Sequence, residues 1–198
     1  GGWYGRAVEW LKGYSSTDAK GTYLQENVEE LSALIGTAVS VKAGIVSRDQ
    51  FEGGERRKLN LGHTFAHAIE TLAQRKRMES EDAPDITHGE AVAMGMVLAA
   101  ELSDAYRRKS GEPIVQENGF GWGLEQRLEA DFLSCGLPIG CPFRLSLMAE
   151  VMRKDKKAEA GKVHFILPFA VGDVRMVDMT IDEVVAEMRR IVKEKISV

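Results

Sequence analysis

Cysteine is scarce, a basic excess is missing, and no apolar run is long enough to span a bilayer. The two cysteines, Cys135 and Cys141, stand in CGLPIGC, which is neither a CxxC redox pair nor a disulfide framework. They read as reduced thiols serving as structural filler in a cytoplasmic protein. Lysine and arginine number 26 against 30 aspartates and glutamates, for a net charge of −4. That balance offers nothing to neutralise a phosphodiester backbone, so no nucleic-acid partner is expected. A small phosphorylated ligand stays compatible, because it needs only a few local cations. The longest apolar stretch, Ala91 to Ala100, is about half a membrane span. The first residues do not read as a signal peptide, and no membrane partner is expected. The chain opens Gly1-Gly2 without a methionine, as expected of a stretch that starts inside a longer protein or of a processed chain.

What is present is an ordinary globular mixture, 44% hydrophobic and 28% charged over 198 residues. It suits a single domain spanning 1–198 with a real core. Leu24, Val28, Leu31 and Ile35, continued by Leu34, Ala38, Val41 and Ile45, predict an amphipathic helix or a broken pair. Gly36 and Gly44 are its weak points. A polar loop around Gly53-Gly54 leads to a second helical pattern from Arg56 to Arg75. The charged stretch Lys76–Thr87 reads as an exposed loop. Ala91–Leu102 is apolar nearly all round and predicts a buried central helix. Lys109–Gly123 reads as a loop, Gly136-Leu137-Pro138 as a break, and Ser146–Arg153 as a short helix. KVHFIL and Val174–Val177 predict two strands around the turn AVGD. Thr180 is placed to cap a last helix with Ile181, Val184, Val185, Met188 and Val192 inward. The expected class is mainly α, a multi-helix domain with one small β-hairpin.

Three of the four histidines fall in one region: His63, His67 and His88. Four residues apart on a helix, His63 and His67 differ by about 40° around the axis and face the same way. Asn60 and Glu70 extend that face by a turn on each side. His88 stands just before the buried helix, where it can turn towards the pair. Histidines joined by a carboxylate make a catalytic zinc environment, whereas HxxxH alone also serves in packing or on a solvated face. Cations lie close in sequence: Lys42, Arg56, and the run Arg153-Lys154-Asp155-Lys156-Lys157. The run is either a solvated turn or a clamp for phosphate or carboxylate.

RRKLNLGHTFAHAIE (Arg56–Glu70) followed by HGEAVAMGMVLAAELS (His88–Ser103) resembles the signature of the 3-dehydroquinate synthases. That family reads R-x-x-L-N-x-G-H-T-x-G-H-A-x-E and then H-G-E-A-V-A-x-G-M. Lys42-Ala43, Asp49 and Glu52 match the stretch upstream. Asp155–Lys157 and GKVHFILPFAVGDV (Gly161–Val174) resemble the family's closing hairpin. The resemblance implies that His63 and His88 are zinc ligands (cobalt substituting), with Glu9 as the candidate third, in an E-x-x-K spacing with Lys12. It implies that His67, Lys42, Arg56 and Asn60 surround the substrate, and that Lys12, Lys156 or Lys157 contact it. It also implies a lyase of the shikimate pathway that converts 3-deoxy-arabino-heptulosonate 7-phosphate to 3-dehydroquinate with NAD, usually as a homodimer.

Two departures stand out. Ala66 replaces the family's usual glycine between the helix histidines, which can crowd a close backbone approach. No glycine-rich turn after a strand and no parallel β/α pattern marks a nucleotide-binding half. NAD is therefore expected through an N-terminal domain or subunit apart from this chain, without which the chain is expected to be inactive. Other sugar-phosphate cyclases, metal-dependent alcohol dehydrogenases and a non-catalytic fragment or interaction module are the alternative readings.

Overall fold

The computed structural model of the protein describes residues 2–81, 83, 85–113, 123–155 and 162–196. The order is α1 (Trp3–Ser16), α2 (Lys20–Glu26), α3 (Val28–Arg48), a 3-10 turn (Glu55–Asn60), α4 (His63–Glu79), α5 (His88–Ser110), α6 (Leu124–Ser134), α7 (Leu145–Asp155), β1 (Val163–Ala170), β2 (Asp173–Met179) and α8 (Ile181–Ile196). Among the described residues the only sheet is the antiparallel β1–β2 hairpin, in register Val163 with Met179 and Phe165 with Val177. The fold is mainly α with one small hairpin, as the patterning predicts.

α5 is the centre. Its Ala91, Met94, Val97, Ala100 and Leu102 are buried, and it packs on α4, α6, α8 and β1. Thr87 opens it through a capping box with Glu90, in which the Thr87 hydroxyl accepts from the Glu90 amide and the Glu90 carboxylate accepts from the Thr87 amide. Thr180 and Glu183 repeat the device at α8, as the sequence predicts. Ile181, Val184, Val185 and Met188 are buried on its inner face; the Val192 side chain lies outside the described residues.

The small side chains of α5 let α4 approach closely. Gly62, in the left-handed region at φ 80°, caps the start of α4. A Cβ on Gly95 would stand 2.3 Å from the Gly62 carbonyl oxygen, and one on Gly62 would stand 2.9 Å from the Met96 amide. Ala66 is fully buried at this crossing. A Cβ on Gly95 would stand 3.1 Å from the Ala66 backbone nitrogen, so the two helices approach closely with Ala66 in place of the family's glycine. Further along α5, Ser103, Asp104 and Arg107 are buried, and the Arg107 guanidinium donates to the Phe169 carbonyl at 2.8 Å. Burial, reinforced by Glu125 on α6, pushes the Asp104 carboxyl up to about 6.

α1–α3 are built differently. Only Trp10 and Leu34 are buried there. The Trp3 indole donates to the Leu34 carbonyl at 3.1 Å, the Trp10 indole to Asn27 at 3.3 Å, and the Tyr4 hydroxyl to Asp131 on α6 at 2.8 Å. The expected weak points Gly36 and Gly44 do not break α3, which runs 21 residues; the break falls at Asn27. Intrahelical hydrogen bonds hold a glycine in place at about 1 kcal/mol of cost each. α3 is the one described helix long and apolar enough to cross a membrane by length and composition. It also carries Lys42 and packs on the 3-10 turn, within the wall of the site described next. The pattern from Arg56 to Arg75 divides into the 3-10 turn and α4, and α4 runs to Glu79, into the stretch expected to be a loop.

Candidate metal and substrate site

The 3-10 turn is organised by Asp49. Its carboxylate accepts from the amides of Gly53 and Gly54 at 2.8 Å and of Arg56 at 2.9 Å. These donors, Arg56 first, hold the carboxyl below its ordinary range. The closed loop puts Glu52 in the left-handed region at φ 57°, a conformation that non-glycine residues adopt at a cost. There the Glu52 carboxylate accepts from the Asn60 side-chain amide at 3.0 Å. The Arg56 guanidinium is tied to the Gln50 carbonyl at 2.9 Å.

These ties assemble a cleft of about 330 Å³ lined by Lys42, Val46, Glu52, Arg56, Leu59, Asn60 and His63. Four residues predicted as site residues, Lys42, Arg56, Asn60 and His63, thus share one cavity with Glu52. Two cations and one carboxylate face it, which suits an anionic ligand that also offers hydroxyls.

His63 opens α4 at the rim of this cleft and His88 opens α5. The His63 ring lies edge-on to both other histidines, with centroids 5.9 Å from His67 and 5.5 Å from His88. His63 Nδ1 is 3.2 Å from the Leu61 carbonyl oxygen, and His88 Nδ1 is 2.9 Å from a Glu70 carboxylate oxygen. Both acceptors lack a proton, so in each ring Nδ1 is the donor. A neutral imidazole bonded in this way presents an Nε2 lone pair, the atom that ligates a metal ion. The histidine pair therefore fits two positions around a divalent ion.

The third predicted ligand is not brought to them. Glu9 lines a separate recess with Gly5, Arg6, Trp10, Tyr23 and Glu30. Glu9 and Lys12 both lie near Cys135, whose thiol burial pushes up. Among the described residues no group of three or more histidine, cysteine, aspartate or glutamate side chains is arranged to hold a metal ion. Lys156 and Lys157 lie outside the described residues. The sequence places Glu70 on the face of the histidines and Asp49 in the stretch matched upstream, without giving either a role. Asp49 as loop organiser is signalled by the glycine pair four and five residues on. Glu70 as partner of His88 is signalled by its place two turns along the face of His63 and His67.

Solved structures share this fold. A 2-deoxy-scyllo-inosose synthase complexed with carbaglucose-6-phosphate, NAD⁺ and Co²⁺ superposes with a TM-score of 0.57 at 21% identity, over 82% of this chain and 41% of that one. The 2-epi-5-epi-valiolone synthase of Streptomyces hygroscopicus subsp. jinggangensis 5008, with NAD⁺ and Zn²⁺ bound, gives 0.54 at 22% identity over 94% and 46%. The architecture is that of the helical domain of the sugar-phosphate cyclases. Within that class the model described as 3-dehydroquinate synthase C-terminal matches residues 5–158, and the chain belongs to this family. The 3-dehydroquinate synthase of Thermococcus kodakarensis is 38% identical over 162 residues, 81% of this chain and 41% of its own. That of Picosynechococcus sp. is 31% identical over 169 residues, 84% and 41% respectively. The chain thus spans about 41% of the length of these relatives.

Proposed function

We propose that this chain is the metal- and substrate-binding domain of a 3-dehydroquinate synthase, a cytoplasmic lyase that works with a nucleotide-binding domain supplying NAD. The substrate would be 3-deoxy-arabino-heptulosonate 7-phosphate. The observation that carries the reading is the cleft joining Lys42, Arg56, Asn60 and Glu52 to His63. Lys42 and Arg56 would bind the anionic ends of the substrate and offset their charge. Asn60, held by Glu52, would orient a hydroxyl. His67 would move a proton between substrate oxygens, a task for which an imidazole is suited near neutral pH. His63 and His88 would hold zinc or cobalt, with Glu9 or another carboxylate completing the set. When bound, the ion supplies charge stabilisation to a substrate hydroxyl as it loses its proton. Lys12 and either Lys156 or Lys157 remain candidate substrate contacts, and a homodimer is the expected assembly.

The deciding experiment is metal stoichiometry by plasma mass spectrometry. It is read together with phosphate release from the heptulosonate phosphate once the nucleotide-binding half of a relative is supplied. Tightly held zinc that His63→Ala loses and Arg56→Ala keeps, with activity lost in both, supports the assignment. Equal zinc loss in both variants overturns the division of roles. Because cyclases of the same fold bear other names, release of phosphate from a different sugar phosphate alone would move the reading to another member of the class.

A further inference from the structure

His88 is the first residue of α5 and its side chain is about 62% exposed, so little packing restrains the ring. What touches it is specific. Glu70, on α4, meets His88 Nδ1 at 2.9 Å, and the His63 ring stands edge-on at 5.5 Å. Glu70 lies seven residues, or two helical turns, beyond His63 on α4. One helix therefore presents both the first histidine and the carboxylate that grips the second. The Glu70 side chain is itself only about one-third exposed. It lines an open recess together with Gln74, Arg77 and Ile86.

We propose that Glu70 is a positioning residue. It fixes His88 as the Nδ1–H tautomer and aims its Nε2 at the ion that His63 shares. The proposal rests on the metal reading above. His63 obtains the same orientation from the Leu61 carbonyl, which no side-chain substitution removes, whereas the orientation of His88 hangs on one replaceable carboxylate. A carboxylate behind a ligating imidazole also raises the basicity of the ring, and losing such a partner costs about 10- to 100-fold in metal affinity. The hairpin provides an internal control: His164 pairs with Asp178 in the same way but has no second histidine ring against it among the described contacts. A carboxylate behind an imidazole is thus not by itself a metal site, and the His63 ring is what distinguishes His88.

The test uses the 198-residue chain and zinc alone. Nitrogen-detected imidazole NMR without metal reads the His88 tautomer, and competition with a chelator reads zinc affinity, with circular dichroism checking the fold. In the unsubstituted chain His88 is expected as the Nδ1–H form. In Glu70→Ala it is expected to shift towards Nε2–H, with zinc bound about 10- to 100-fold more weakly. Glu70→Gln keeps an acceptor oxygen and should retain the tautomer with an intermediate loss of affinity; it carries the test should the alanine variant misfold. Unchanged tautomer and affinity in both variants would overturn the role of Glu70 while leaving the metal reading intact. An unsubstituted chain that binds no zinc, with His63→Ala indistinguishable from it, would overturn the metal reading and the proposal with it.

Discussion

The helices either side of the 3-10 turn are made from similar amounts of apolar residue and use them in opposite ways. In α4 and α5 the apolar side chains interlock with α7, the hairpin and α8, and Phe65, Ile69 and Leu102 are almost wholly buried. In α3 the apolar side chains largely face outwards, with Val39 61% exposed and Ile35 54% exposed. The histidines and Glu70 stand on the first region. Lys42 stands on α3, and Glu9 and Lys12 stand on α1, where Trp10 alone is buried. One half of the site is therefore positioned by a core of its own, while the other is carried by helices whose apolar surface is largely uncovered. The histidines group on the packed region, and Glu9 lines a separate recess on the other.

The comparison can be broken at several points. Truncating Phe65 to alanine should lower stability by about 3–5 kcal/mol. Val39→Ala should change it by less than about 0.5 kcal/mol, both read by urea unfolding. Equal effects would mean that α3 is packed as tightly as α4. At the crossing, Gly95→Ala must displace the Gly62 carbonyl and should cost about 1–3 kcal/mol, with weakened zinc retention because His63 follows Gly62. The Asp104 carboxyl, raised by burial, binds its proton more tightly folded than unfolded. Its favourable contribution is present below about pH 4 and is lost as pH rises through about 6. Asp104→Asn should therefore stabilise the chain by about 1–2 kcal/mol at pH 8 relative to its effect at pH 4; thermal unfolding at the two pH values reads the difference. Smallest of all, Gly36→Ala, with open space around it, should stabilise α3 by about 0.5–1 kcal/mol. Opposite signs for the same glycine-to-alanine change at 95 and 36 would sharpen the contrast between the regions.

Legibility in the sequence follows the same division. The buried α5, the Thr180 cap, the hairpin and the helix carrying His63 and His67 were readable, because periodicity and capping chemistry are local. The gathering of Lys42, Arg56, Asn60 and His63 was readable only through the family resemblance. The loop that performs it depends on Asp49 reaching three amides up to seven residues away. The pattern leaves open one helix or a broken pair with Gly36 and Gly44 as weak points; α3 stays whole through both because twenty-one consecutive residues share the cost. Glu9 had a matching spacing, but spacing says nothing about which face of α1 looks towards another helix.

The contact of Gly62 with Gly95 has a mechanical consequence. It is a pivot placed almost at the site itself: His63 is the next residue after it, and His88 lies seven residues, about 10 Å, along α5. Over so short an arm, a rocking of the two helices by about 5° moves His88 by only about 1 Å relative to His63. The same rocking would move Ser110, fifteen residues or about 22 Å beyond Gly95, by about 2 Å, so the histidine end of the helix pair is the end displaced least.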